Sequence, residues 1–196
     1  MLSVKALVQS IALLFVILDP IGNAPVFYSL TADIEDWKRS RVVRISVAVA
    51  ALILLCFLVL GELLLSLFNV GLDDLKIAGG IVLFIMAVQG ILGKLEAEKI
   101  SAEEVAVVPI ATPLLAGPGA ITTIMYLSRA LGYVYALISL VVNVALSYVV
   151  LSRSSSLFRL LGRNGSLALS RIMAMLLAAI AVSMIKDGLL DVISSL

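Results

Sequence analysis

The chain contains a series of apolar runs, each roughly 20 residues long, the length an α-helix needs to cross a bilayer. Short polar or charged stretches separate these runs. The composition agrees, because 62% of the residues are apolar and 14% are charged. An ordinary soluble domain is roughly 45–50% apolar and about 25% charged. The sequence therefore predicts an all-α integral membrane protein.

Six transmembrane helices are predicted and are numbered here in chain order. We expect them at about 4–30, 42–68, 75–92, 104–129, 133–151 and 167–185, with polar loops at about 31–41 and 153–166. A charged linker at 96–103 divides the chain into a first three-helix repeat, 1–95, and a second, 104–196. The N-terminal segment is interpreted as a retained helix rather than a cleaved signal peptide, because Pro25 follows Ala24 at the candidate cleavage site.

Helices 1 and 4 carry the same pair of prolines, five residues apart. Pro20 and Pro25 match Pro113 and Pro118 at a constant offset of 93 positions. Proline removes a backbone donor and clashes with the preceding turn, and the glycines beside these prolines allow close approach to the backbone. We therefore expect both helices to be broken near the membrane centre. Kinks in two packed helices are the alternative.

The two repeats are predicted to be inverted relative to each other, because each contains an odd number of helices. Lys76-Ile77 and Arg171-Ile172 mark matching positions in helices 3 and 6. Inverted repeats with broken helices are typical of secondary transporters. Ten of the 14 Lys and Arg residues lie in or beside the connections 1–2, 3–4 and 5–6. The positive-inside rule puts these connections in the cytoplasm and both termini outside.

Several classes of function are excluded by what the sequence lacks. It has no histidine and a single cysteine, so a Ser-His hydrolase, a histidine metal site and an internal disulfide are all excluded. The net charge of +1 gives no reason to expect nucleic-acid binding. An aspartyl-type intramembrane enzyme needs two apposed carboxylates, and Asp19 has no second one at its level. We expect no enzyme activity and no cofactor, and leave the coupling ion, H⁺ or Na⁺, and the oligomeric state open.

Asp19 is the strongest candidate for a functional residue. A charged side chain inside a membrane span costs ~2.5–3.5 kcal/mol on insertion scales, so its presence suggests a function. A purely structural alternative is that Asp19 caps a helix that restarts after it. We predict that the restarted helices begin at Pro25 and Pro118, where free N–H groups and a positive dipole end would favour a carboxylate.

We expect the substrate at the two breaks, in contact with small and polar residues. The candidates are Asp19, Gly22, Asn23, Pro25, Thr112, Ala116, Gly117, Gly119, Thr122, Thr123 and Asn143. Thr122 and Thr123 either contact the ligand or bond to the preceding turn. Asn143 belongs to a polar stripe on one face of helix 5, formed by Tyr135, Ser139, Asn143 and Ser147. Such a stripe either joins helices or lines a substrate path.

Two stretches resemble the MarC family of six-helix membrane proteins. They are Asp19-Pro20-x-Gly22-x-x-Pro25-x-Phe27 and Leu115-Ala116-Gly117-Pro118-Gly119-Ala120-Ile121. The resemblance covers nearly the whole chain, and it implies a six-helix fold and a transport function, since the family includes small neutral amino acid transporters. With the glycine-lined breaks, it favours a multi-pass secondary transporter of the cell membrane for glycine- or alanine-like zwitterions. An exporter or channel for other small solutes is the alternative.

Overall fold

The computed structural model describes residues 3–31, 35–92 and 115–194, and these stretches form α-helices without any β-strand. The helices are α1 Val4–Leu18, α2 Pro20–Leu30, α3 Asp36–Leu67, α4 Leu72–Ile91, α5 Pro118–Ala130, α6 Tyr133–Ser152 and α7 Ser154–Ser194. Within these described stretches, five spans are long and apolar enough to cross a membrane: Val4–Pro25, Trp37–Leu67, Asp73–Ile91, Tyr133–Ser152 and Asn164–Ser194. The predicted all-α membrane class is confirmed. The linker 96–103, Thr112 and Pro113 lie outside the described residues.

The first predicted helix consists of two helices that meet at Asp19. α1 ends at Leu18, α2 begins at Pro20, and Asp19 between them has a left-handed backbone with φ +43°. The prediction that the second part starts at Pro25 is wrong, because Pro25 lies inside α2. Pro20 takes the first helical position, where its missing N–H is not needed, and Asp19 directly before it provides the cap.

The predicted polar connection at 31–41 is helical over much of its length. α3 begins at Asp36, and the Trp37 indole Nε1 donates a hydrogen bond to Glu35 at 2.6 Å. This hydrogen bond and a second one from Lys38 lower the pKa of Glu35. Arg39 donates to the backbone oxygen of Thr31 at 2.8 Å, which ties the first turn of α3 to the end of α2. α3 therefore begins within this charged stretch and not at the apolar run that follows it.

The prediction of a loop at 153–166 is also wrong. α7 begins at Ser154, leaves helical geometry only at Gly162, where φ is +65°, and continues to Ser194 instead of ending near 185. Glycine suits this position because other residues rarely adopt a left-handed backbone. Phe158 stacks on Tyr28 of α2 with ring centroids 4.6 Å apart. This tertiary contact holds a Ser- and Arg-rich segment in a helix that local composition does not favour.

Close contacts show which neighbouring helices are parallel and which are antiparallel. α4 and α7 are antiparallel: a methyl group on Gly80 would lie 2.8 Å from the oxygen of Ala181, and one on Gly188 would lie 2.9 Å from the oxygen of Asp73. α1 and α6 are parallel, since Ser10 bonds to Ser139 and the carbonyl of Ile11 to Asn143. α3 packs on α6, α2 on α7, and α5 on both α4 and α3. α1 and α2 therefore both pack against helices from later in the chain.

Candidate functional site

Asp19 holds the junction between α1 and α2 with both its backbone and its side chain. Its carboxylate Oδ1 accepts the backbone N–H of Gly22 at 2.9 Å, and its own N–H donates to the oxygen of Phe15 at 2.9 Å. Aspartate is among the few residues other than glycine that adopt a left-handed backbone with some frequency. The capping role is therefore present. No Lys or Arg within the three described stretches pairs with this carboxylate.

The residues that follow Asp19 complete the junction. Gly22 is buried, and a methyl group there would overlap the carboxylate of Asp19, so this glycine leaves room for the cap. The amide Nδ2 of Asn23 donates to the oxygen of Leu18 at 3.1 Å and satisfies a carbonyl at the end of α1. Ser170 of α7 donates to the oxygen of Gly22 at 3.0 Å. Side chains thus replace the helical hydrogen bonds that the interruption removes.

The second motif contains the start of α5. Leu115, Ala116 and Gly117 are buried, and α5 begins at Pro118 as predicted. The oxygen of Gly117 accepts the N–H groups of Ala120 and Ile121 at 3.0 and 3.1 Å. No side chain of the described residues caps this N-terminus. The two helix starts therefore differ, since α2 carries a carboxylate cap and α5 carries no side-chain cap from residues 3–31, 35–92 or 115–194.

Gly119, Thr122 and Thr123 have three different surroundings. A methyl group on Gly119 would overlap the side chain of Leu83, so this position serves the close packing of α5 on α4. The hydroxyl of Thr122 donates to the oxygen of Gly119 at 3.0 Å, which is the bond to the preceding turn. The hydroxyl of Thr123 is buried, and no hydrogen-bond partner for it is found in the described parts of the chain.

The polar stripe of α6 joins this helix to α1. Tyr135 accepts the N–H of Ser3 at 2.7 Å, and Ser139 donates to the hydroxyl of Ser10 at 2.8 Å. Asn143 donates to the oxygen of Ile11 at 3.1 Å. Further along the stripe, Asn143 Oδ1 and Ser147 Oγ are buried without a partner among residues 3–31, 35–92 and 115–194. Most of the stripe is thus engaged in helix packing, and its last turn keeps unused acceptors.

A cavity of about 10 Å³ adjoins both motifs. Its wall includes Leu18, directly before Asp19, and Leu115, directly before Ala116. α6 contributes Ser147 and Val144, and α3 contributes the remaining wall residues, which are Val47, Ala50, Ala51 and Leu54. The volume is near the minimum that holds one water molecule. The sequence pattern did not identify the α3 residues, because an apolar run gives no sign of which face points inward.

The structure therefore brings some predicted site residues together and separates others. Asp19, Gly22 and Asn23 form the first junction, and Ala116 and Gly117 lead into the second. Leu18 and Leu115 connect the two junctions through the shared cavity wall. None of the predicted site residues that the structure describes is itself part of that wall. An interrupted helical membrane protein with one carboxylate at the interruption is the class that this fold and site define.

Comparison with known proteins identifies the family. A family model described as MarC family integral membrane protein matches residues 4–193, so the chain belongs to the MarC family. It is 41% identical over 199 residues to a UPF0056 membrane protein of Archaeoglobus fulgidus, covering 95% of this chain and 93% of the relative. It is 33% identical over 190 residues to the UPF0056 inner membrane protein YhgN of Escherichia coli K12, covering 93% and 95%. No solved structure matches the chain.

Proposed function

We propose that this protein is a secondary transporter of small neutral amino acids such as glycine and alanine. The observation that carries the proposal is the shared cavity. Its wall includes Leu18, next to the carboxylate-bearing Asp19, and Leu115, two residues before Gly117 at the start of α5, which no side chain of the described residues caps. A zwitterion has one charge of each sign, so these two groups are chemically complementary to its two ends. The proposal assigns binding, and no catalysis, to Asp19.

The two ends of the substrate are assigned by charge. The carboxylate of Asp19 and the negative dipole end of α1 favour the ammonium group. The start of α5 at Gly117 favours the substrate carboxylate, because the N-terminus of a helix is its positive dipole end. The start of α2 is less suited to that role, since Asp19 already bonds to the N–H of Gly22 there.

An inverted arrangement of two three-helix halves, with helices 1 and 4 both broken, belongs to the same proposal. Its support is that helices at matching positions of the two halves make matching contacts. α4 packs on α7 and α3 on α6, and each pair joins the corresponding helices of the two halves. α2 packs on α7 in the way that α5 packs on α4. One half rocking against the other would then expose the site alternately to each side of the membrane.

A cell-membrane location with both termini outside completes the proposal. The relative in Escherichia coli carries the name inner membrane protein. The orientation rests on the excess of Lys and Arg in the connections between helices 1 and 2, 3 and 4, and 5 and 6.

Uptake of labelled glycine into proteoliposomes tests the function directly. We expect saturable accumulation when a proton or sodium gradient is imposed, with separate gradient arms identifying the coupling ion. Liposomes without protein, and liposomes with the gradient collapsed by an ionophore, are the controls. Folded protein that accumulates none of glycine, alanine and serine under either gradient would contradict the proposal. Uptake that equilibrates without saturating would indicate a channel instead.

A further inference from the structure

We propose that the cavity between the two junctions is the pocket for the substrate side chain, and that α3 sets its size limit. This inference rests on the proposed function and adds to it the part of the protein that selects among amino acids. It assigns a role to Val47, Ala50 and Leu54, which lie on a helix that carries neither of the two motifs.

The position of the cavity is the first argument. Leu18 and Leu115 line it, and each lies at most two residues before the groups assigned to the substrate charges, Asp19 and Gly117. In the proposed arrangement, a zwitterion held by those two groups has its side chain directed into this cavity.

The chemistry of the wall is the second argument. The contributions of α1 and α3 are apolar, namely Leu18, Val47, Ala50, Ala51 and Leu54. Apolar walls exclude charged and strongly polar side chains, because such groups lose their hydration without gaining a partner. The cavity therefore fits substrates that are neutral beyond their α-carbon.

The size of the cavity is the third argument. At about 10 Å³ it has room for a hydrogen atom or a group the size of one water molecule or methyl. A longer side chain would have to displace Leu54 or Leu115, which are fully or almost fully buried at 1% and 2% exposure. Densely packed interiors resist such movement. Glycine and alanine therefore enter more readily than 2-aminobutyrate or valine.

Ser147 adds a polar hydroxyl group to this otherwise apolar wall. Its hydroxyl is buried and has no hydrogen-bond partner in the described stretches. A buried hydroxyl without a partner is costly, and a ligand hydroxyl can supply the missing bond. The pocket is therefore suited to serine as well as alanine, although serine is the larger of the two.

Changing either of two alanines on α3 to valine tests the pocket. Ala50 is buried and lines the cavity, whereas Ala48, on the same helix, is exposed. One extra methylene in an apolar pocket discriminates by roughly 10- to 200-fold. We expect Ala50→Val to lower the ratio of alanine to glycine uptake about 10-fold or more, and Ala48→Val to leave it unchanged. Uptake is compared at equal amounts of folded protein in proteoliposomes.

Two further variants keep the test decisive if Ala50→Val does not fold. Val47→Ala enlarges the pocket and is expected to raise uptake of 2-aminobutyrate relative to alanine several-fold. Ser147→Ala is expected to lower serine uptake relative to alanine. The pocket is refuted, with the transport function intact, if the wild type transports glycine and alanine while every folded pocket variant keeps the wild-type ratios. A wild type that transports no amino acid refutes both.

Discussion

Asp19 combines a structural and a proposed binding role in one side chain. The left-handed backbone and the bond from the carboxylate to the N–H of Gly22 fix where α1 ends and α2 begins. Capping uses one of the two carboxylate oxygens. A side chain that only capped would not need an ionisable group inside a membrane span, since asparagine caps as well as aspartate does.

Substitutions at Asp19 separate the two roles. Asp19→Asn keeps a capping oxygen and tolerates the left-handed backbone, so we expect a folded protein whose glycine uptake falls at least tenfold, ~1.4 kcal/mol. Asp19→Ala removes the cap as well and should cost ~1 kcal/mol of stability. Uptake and the melting temperature in detergent are measured for both variants. A folded Asn variant with wild-type uptake would reduce Asp19 to a cap.

At the scale of helices, the contact between α4 and α5 depends on small residues facing larger ones. Leu83 occupies the space beside Gly119, and Thr122 occupies the space beside Gly79. The sequence suggested Gly119 as a substrate-binding residue, because a glycine next to a proline motif often permits close approach of a ligand. In the structure the close approach is made by a neighbouring helix.

Gly119→Ala distinguishes these two roles. Overpacking against Leu83 should destabilise the protein by about 1–3 kcal/mol and reduce uptake of glycine, alanine and serine by the same factor. Adding Leu83→Val shortens the opposing side chain and should restore part of the lost stability, as expected for residues in contact. Melting temperature and relative uptake are the measurements. A stable Gly119→Ala variant that excludes alanine more than glycine would instead put Gly119 in the substrate pocket.

The helices show what sequence patterns could and could not predict. The start of α5 at Pro118 was predictable, because glycine followed by proline is a strong local signal. The start of α2 at Pro20 was considered only as the alternative in which Asp19 caps a restarted helix, and the bond from Gly22 to that carboxylate shows that this alternative is the correct one. The helix at the beginning of α7 depends on the contact of Phe158 with Tyr28, which no local pattern encodes. The pocket wall on α3 was missed for a similar reason, since packing against neighbouring helices determines which face of α3 points inward.

For the whole molecule, ion pairs link helices of the two proposed halves. Lys76 of α4 pairs with Asp191 of α7, and its side chain is only 14% exposed. Glu62 of α3 approaches Arg129 of α5 at 3.8 Å, and both side chains are exposed. Exposed pairs contribute little, so the pair of the partly buried Lys76 with Asp191, which is 52% exposed, contributes more of this link than the pair of Glu62 with Arg129. If the halves rock against each other, this contact has to change between the two states.

The orientation of the molecule is tested by cysteine labelling in a Cys56→Ser background. We expect Lys38→Cys and Arg159→Cys to resist a membrane-impermeant thiol reagent added to whole cells, since both lie in predicted cytoplasmic regions. Ser194→Cys, near the other end of α7, should react. Permeabilised cells, in which all three should react, are the control. Labelling of the first two sites in intact cells would reverse the assigned orientation.

The central claim is that the protein recognises both charges of a small zwitterion between Asp19 and the start of α5. Competition against labelled glycine uptake in proteoliposomes measures this most directly, with alanine, glycinamide and N-acetylglycine as competitors. Glycinamide lacks the carboxylate and N-acetylglycine lacks the ammonium, while both remain small. We predict that alanine competes strongly and that each single-charge analogue competes at least ~100-fold more weakly, because removing either charge leaves a buried partner unpaired. Equal competition by all three compounds would contradict the claim.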